Sequence, residues 1–233
     1  MELKKKLKEF AYSHKGLYSV CINIINHIPF YNSWKVTNGN NISCKGLINK
    51  TKLQIKGKGN EIIIHPFARL NHCLIEITGD NNKIEIGQEA VCTETHFVIQ
   101  DNGGAISIGN KTGISGNTHL ASIEGKKIQI GDDCMLSANI VIRVGDSHSV
   151  LDKNTMQRIN PSKDVVIGDH VWIGNQVCIL KGSKISSNSI IGTGSIVTKA
   201  FNESNVAIVG NPARAIKSNI NWCAERVAIE KGI

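Results

Sequence analysis

The sequence predicts an all-β parallel β-helix, a solenoid of short strands stacked coil on coil, and three observations predict it. From Val166 to Val197, aliphatic residues recur at Ile167, Ile173, Ile179, Ile185, Ile191 and Val197, six apart without a miss. A strand buries every second residue and a helix returns about every 3.6, so neither alone gives a period of six. Three short strands joined by tight corners do, with one residue per hexad pointing into a narrow shared core and eighteen residues per coil. A longer repeat precedes this one. The pattern turn–Ile–x–Ile recurs as GNEIIIH (59–65), NNKIEIG (81–87), GGAISIG (103–109) and GKKIQIG (125–131), placing Ile64, Ile86, Ile108 and Ile130 22 apart. Composition agrees: at 5% aromatic residues the chain has too few rings for an aromatic-rich globular core, while 22 glycines suit repeated turns.

At 233 residues the chain is one large domain or two small ones. Seven cysteines, at 21, 44, 73, 92, 134, 178 and 223, are odd in number, scattered, and without a C-x-x-C pair. That usage reads as reduced thiols serving as small buried hydrophobes in a cytoplasmic protein. No apolar run reaches the roughly 18–20 residues needed to cross a bilayer, and no signal-peptide pattern is present. The net charge of +8, from 27 Lys and Arg against 19 Asp and Glu, attracts polyanions, membranes or phosphorylated cofactors without choosing among them. Nucleic acid is disfavoured, because basic and aromatic residues do not interleave.

Residues 1–35 have their own texture. Leu3, Leu7 and Phe10 recur at helical spacing among lysines, and Tyr18, Ile22 and Ile25 continue a stripe until Pro29 stops it. One or two short amphipathic helices are expected. They cap the open end of the solenoid, rest a basic apolar patch on a membrane surface, or do both. The solenoid is expected over 36–201. Its first coils have 22 residues, eighteen plus a four-residue protrusion such as Gly79–Asn82 or Asp101–Gly104, rich in residues that accept tight or left-handed turns. Counting back from Ile64 lands on Ile42, and the six-residue beat continues as Ile86–Cys92–Val98, Ile108–Ile114–Leu120 and Ile130–Leu136–Ile142. The pattern then breaks. Residues 143–164 form a polar extrusion with His148 near its start, anchored by regular repeats on both sides, and loops held on rigid scaffolds are where binding and catalysis concentrate. Trp172, beside the inward Ile173, faces outward, toward another subunit or a ligand. The tail, 202–233, is expected to form a short C-terminal helix after Pro212, with Trp222 as its apolar anchor.

The stretch IRVGDSHSVLD (142–152), VVIGDHVWIGNQVCILKG (165–182), IIGTGSIVTK (190–199) and IVGNPARAIK (208–217) resembles the hexapeptide-repeat acyltransferases, whose solenoid is left-handed. Within them it is most similar to the sugar and polysaccharide O-acetyltransferases of bacterial capsule and lipopolysaccharide gene clusters. The resemblance covers roughly residues 106–217 and implies acetyl-CoA as cofactor, a homotrimer with active sites between subunits, and a sugar or oligosaccharide acceptor. It implies His148 as the catalytic base and Trp172 beside it in the active site. It also assigns Asn117, with His119 close by, to acceptor binding. Gly174, the backbone amides around Gly194 and Ser195, and the segment Gly210-Asn211-Pro212-Ala213 would line the coenzyme groove, with Lys199 and Arg214 as the preferred pair for its phosphates among Lys181, Lys184 and Lys217. No metal is expected.

The chemistry fits these residue types. Moving an acetyl group from a thioester to a hydroxyl needs a base for the hydroxyl proton, and an imidazole of pKa about 6.5 serves at neutral pH. Asp146 and Asp152 are the nearby carboxylates that could orient the ring, and the sequence does not choose between them. An N-acetyltransferase acting on an amino-sugar nucleotide needs much the same base and is the alternative within the class. A non-catalytic β-helix scaffold is the alternative outside it, and leaves the extruded loop and the GNPA segment unexplained. A zinc hydrolase of the carbonic anhydrase type would need close-set histidines, whereas His96, His119 and His148 are 23 and 29 apart. The location implied is the cytoplasm, with membrane association on the cytoplasmic face of the inner membrane if the N-terminal segment serves that purpose.

Overall fold

The computed structural model describes residues 13–28 and 31–228. They form a parallel β-helix whose three faces, here A, B and C, are sheets of eight, eight and nine strands. Each strand hydrogen-bonds to its equivalent one coil earlier and one coil later. Inward positions stack as columns of like side chains. Ile64, Ile86, Ile108, Ile130, Ile167 and Ile185 form one column on face B, each 3% exposed or less. At about 1.5–3 kcal/mol for each fully buried aliphatic side chain, such columns are the chief stabilising term of the fold.

In the first coils the register departs from the 22-residue repeat in two places. Ile42 pairs with Ile62, and Cys44 with Ile64, so the first coil is two residues shorter than the three that follow it. On face A, Phe97 and Ile99 point inward and Val98 outward, correcting the beat expected to carry Val98 into the core. The cause is the corner from face C to face A. Cys92 to Phe97 spans five residues, whereas one coil later Ile114 to Leu120 spans six, with Gly116 and Asn117 filling the longer turn. His96 and His119, 23 apart in sequence, thereby become direct neighbours on the outer surface of face A.

The protrusions all lie at the corner from A to B, where asparagines tie coil to coil. Buried Asn82 receives the Gly104 N–H at 2.8 Å and donates to the Asp101 carbonyl at 3.0 Å, while its own N–H binds Asn60 Oδ1 at 2.9 Å. Gly79 (φ +128) lies in a backbone region closed to side chains. The long extrusion leaves from the same corner. Ile142 pairs with Ile179, 37 residues on, so one coil carries nineteen extra residues at the place where its predecessors carry four.

At the N-terminal end, helix α1 (Lys15–Asn26) lies over the first coil. Asn26, 1% exposed, donates to the Gly46 carbonyl at 2.8 Å and accepts the Ile48 N–H at 3.0 Å; Asn32 accepts the Thr51 N–H at 2.9 Å. These side chains satisfy backbone groups that the next coil would otherwise bind. Ile22 is buried, Tyr18 packs on Phe67 with ring centroids 4.6 Å apart, and Ile25 remains exposed. Leu3, Leu7 and Phe10 fall outside the described residues. Among the described residues no helix is long and apolar enough to cross a membrane.

Among the described residues the expected C-terminal helix is not formed. Ala207–Gly210 and Ala213–Lys217 are strands joined by a tight turn with a cis Asn211–Pro212 bond, the second antiparallel to the first at the edge of face C. Residues 218–228 are irregular. An edge strand supplies the backbone hydrogen bonds that the last coil lacks, which a helix could not do.

Replacing Asn82 with Ala removes two side-chain bonds and leaves the buried Gly104 N–H without an acceptor. A loss of about 2–4 kcal/mol is expected in the denaturant midpoint analysis, with an unchanged far-ultraviolet spectrum at low denaturant.

Candidate active site

The extrusion is an ordered hairpin-like loop organised by Asn160. This buried side chain donates to the His148 carbonyl and to Asp146 Oδ2, both at 2.8 Å, and accepts the Val150 N–H at 2.8 Å and Arg158 Nε at 3.1 Å. Arg158 is also paired with Glu124 of the coil below. Lys181, from the coil above, meets Asp146 and lies 3.3 Å from the Asn160 carbonyl. These contacts hold the Asp146 carboxyl below the usual aspartate range, through Lys181 first and Asn160 second.

His148 stands exposed at the root of this loop, in a cleft of about 410 Å³ lined by Arg143, Asp146, Val150, Leu180 and Lys181. Its ring has no hydrogen-bond partner among the described residues. Neither expected orienting carboxylate touches it: Asp146 is held by Lys181 and Asn160, and Asp152 caps its own turn by accepting the N–H groups of Asn154 and Thr155. The N–H groups of Gly145, Asp146, Ser147, His148 and Ser149 donate to no acceptor among the described residues. These backbone donors belong to the same short segment that carries the imidazole.

Face A continues from the cleft toward the opposite corner. A second cavity of about 150 Å³, lined by Val98, Gln100, His119, Ala121, Arg143 and Ser147, adjoins the first across Arg143 and Ser147. His119 and His96 make an edge-on contact with centroids 5.1 Å apart, and His96 is 2.8 Å from Glu76. Burial, then His96 and Arg143, lower the pKa of His119, so its ring is neutral at neutral pH, and its buried Nδ1 has no partner. Asn117 (φ +47) sits at the corner from C to A, where it donates to Asn139 Oδ1 at 2.7 Å.

The residues assigned to the coenzyme lie mostly on that same corner, one per coil. Several are committed inside the stack. Gly174, Ser195 and Ala213 are buried. The N–H groups of Gly174, Gly194 and Ser195 bind the carbonyls of Ile191, Asn175 and Gly192. Ser195 Oγ lies between the Gly192 carbonyl (2.7 Å) and the Gly210 N–H (3.1 Å). The ridge therefore offers a ligand its shape rather than those amides. Gly194 (φ +72) faces open space, with no atom within 4 Å of an added Cβ, and Asn211 and Pro212 are exposed beyond it. Lys199 and Arg214 do not meet. Lys199 is at the corner from A to B, its ammonium 5.4 Å from the Phe201 ring, and Arg214 lies on the edge strand of face C. An open ridge with exposed cations on either side suits a long thioester carrying phosphates.

Trp172 points outward from face C, 37% exposed, on a different face from His148. The tail reaches back to it: Trp222 stacks on His170 at 4.2 Å, its Nε1 donates to the His170 carbonyl at 2.9 Å, and its centroid lies 6.2 Å from that of Trp172. Sequence reasoning missed Asn160 and Arg143. Asn160 is one polar residue among many in a loop, but Arg143 immediately follows the inward Ile142, a spacing that marks an outward position on face A.

Comparison with known proteins agrees with this architecture. Residues 164–199 match the family model described as bacterial transferase hexapeptide (six repeats). A polysialic acid O-acetyltransferase of Neisseria meningitidis is 34% identical over 197 residues, 82% of this chain and 88% of that protein. One of Escherichia coli O1:K1 is also 34% identical, over 125 residues, 54% of this chain but 40% of that longer protein. The crystal structure of the polySia-specific acetyltransferase NeuO superposes with a TM-score of 0.76 at 32% identity, covering 85% of this chain and 91% of that one. The chain belongs to the left-handed β-helix, hexapeptide-repeat family of sugar O-acetyltransferases. It is an acetyltransferase.

Because the folded-state pKa of Asp146 is depressed, its contribution to loop order is fully present above the unfolded value of about 3.9 and fades as pH falls through the lower folded value. Amide exchange across 144–164, corrected for intrinsic rates, should accelerate below about pH 4 in the native protein. In Lys181→Met it should already be faster at neutral pH; equal protection in that variant would remove the tether from the account.

Proposed function

We propose that this protein transfers the acetyl group of acetyl-CoA to a hydroxyl of a bacterial surface-polysaccharide sugar, as a polymer or lipid-linked precursor, with His148 as general base. The observation that carries this reading is the partner-free imidazole of His148, exposed in a cleft on the same short segment as unpaired backbone N–H groups. Acetyl-CoA supplies an activated acyl group whose thiol leaves readily, so no covalent enzyme intermediate is needed. His148 takes the proton of the acceptor hydroxyl as its oxygen bonds to the carbonyl carbon. The loop N–H groups at 145–149 are the donors available to stabilise the oxyanion that develops. When the carbon–sulfur bond breaks, the proton held on His148 passes to the departing thiolate. The polysialic acid enzymes among the relatives act on a polymer of this general kind.

The working form is a homotrimer with its active sites in the clefts between subunits. Support comes from the loop, which carries Val150, Leu151, Met156 and Ile159 exposed on a well-tied stem, and from the outward Trp172. Apolar side chains so displayed call for a partner surface. Packed against a second copy, the loop would bring His148 of one chain to Trp172 and the GNPA ridge of the next. Asn117 and His119 line the acceptor side, and Lys199 and Arg214 reach the coenzyme phosphates from different subunits. The enzyme works in the cytoplasm, where acetyl-CoA is made. The exposed Leu17, Val20 and Ile24 of α1, preceded by Lys4, Lys5, Lys6 and Lys8 in sequence, give it a peripheral contact with the inner membrane.

Thiol release from acetyl-CoA, measured with and without oligosaccharide acceptors, tests the chemistry. His148→Ala should lower kcat by about 10²–10⁴-fold while coenzyme A binding, read by calorimetry, persists. Loss of coenzyme A binding in the native protein would sink the proposal. Sedimentation should give three times the 25.3 kDa chain mass, and Ile159→Asp should both dissociate the assembly and lower activity.

A further inference from the structure

Around the His148 cleft the carboxylates have partners, and of the two cations that line it, Lys181 is paired with Asp146 and Arg143 is unpaired among the described residues. Glu76 is held by His96, Asp101 by the Glu124 N–H, Glu124 by Arg158, Asp146 by Lys181, Asp152 by its own turn, and Asp164 by the Lys127 N–H. The guanidinium of Arg143, half-buried on face A, makes no hydrogen bond or ion pair with any described residue. Its neighbours one and two coils below are Ala121 and Val98, which leave the guanidinium over a small apolar floor. It lines both cavities, so it stands between the His148 cleft and the His119 cavity, whose buried Nδ1 lacks a partner.

A half-buried guanidinium without a counter-charge is costly to retain, and its planar fork matches a carboxylate in two parallel hydrogen bonds. We infer that Arg143 is a specificity-determining residue that binds the carboxylate of an acidic acceptor sugar, seated in the smaller cavity so that a hydroxyl of the same or the adjoining residue faces His148. The inference rests on the transferase reading above. It goes further by requiring a carboxylated acceptor, and it assigns Arg143 to recognition, leaving the proton transfer to His148. Neutral His119 at the floor supplies an uncharged hydrogen-bonding edge to the ring that carries the carboxylate.

Direct binding separates this from catalysis. Oligogalacturonate and oligosialate fragments, and the same fragments with their carboxyl groups reduced to alcohols, are titrated calorimetrically in the presence of coenzyme A. The proteins compared are the native enzyme, His148→Ala and Arg143→Gln. For at least one of the two sugars, native protein and His148→Ala should bind the acidic form about 10- to 100-fold more tightly than the reduced one. Arg143→Gln should bind both forms alike. Arg143→Lys, which keeps the charge and loses the fork, should fall between, and circular dichroism verifies that each variant keeps the solenoid. Discrimination retained in Arg143→Gln, no discrimination by the native protein for either sugar, or a loss confined to coenzyme A affinity would each overturn the assignment. Acidic-sugar binding through Arg143 with no acetyl transfer would leave the inference standing and remove the transferase reading instead.

Discussion

Coil-to-coil register is the constraint on which everything else depends. Each strand of two to six residues is too short to be stable alone, and each gains its order from the strand one coil away. In-register stacking turns a one-dimensional repeat into columns of isoleucine inside and ladders of asparagine at the corners. Both ends of such a stack are exposed edges. Asn26 and Asn32 close one with side-chain amides, and the 213–217 strand closes the other with backbone.

The corners divide the labour. The corner from C to A changes by a single residue between coils, and its residues are largely occupied in holding successive turns together, as Asn117, Gly174 and Ser195 show. The corner from A to B is permissive, carrying four-residue protrusions and then nineteen extra residues in a single coil. Between them, face A presents a short run of outward side chains, His96, His119 and Arg143, that strand pairing fixes in position. A cleft assembled in this way has one wall that barely varies and one wall that is almost free to vary.

The periodic part of this architecture was legible in the sequence because its cause is periodic. A hexad of aliphatic residues has one physical explanation, and the break at 143–164 was visible against it. The phase of face A was not legible, since a five-residue step at Thr93–Glu94 and a six-residue step at Ser115–Asn117 look alike until pairing decides which is inward. For the same reason the 23-residue interval between His96 and His119 did not announce neighbours. Loop contacts were invisible for another reason: Asp146 and Asp152 are equivalent as nearby acids, and only tertiary geometry commits one to Lys181 and the other to its own turn. The tail misled because AIKSNINWCAERVAIEKG has helical texture, while the open edge of face C needed a strand.

The nineteen-residue insertion enters and leaves the same coil at one corner, and the ladders above and below it keep their register. The solenoid is therefore indifferent to what is spliced there. Beyond the root that carries His148 and its Asn160 ties, length and composition of that segment can drift without cost to the core, so new acceptor preferences can be tried one splice at a time.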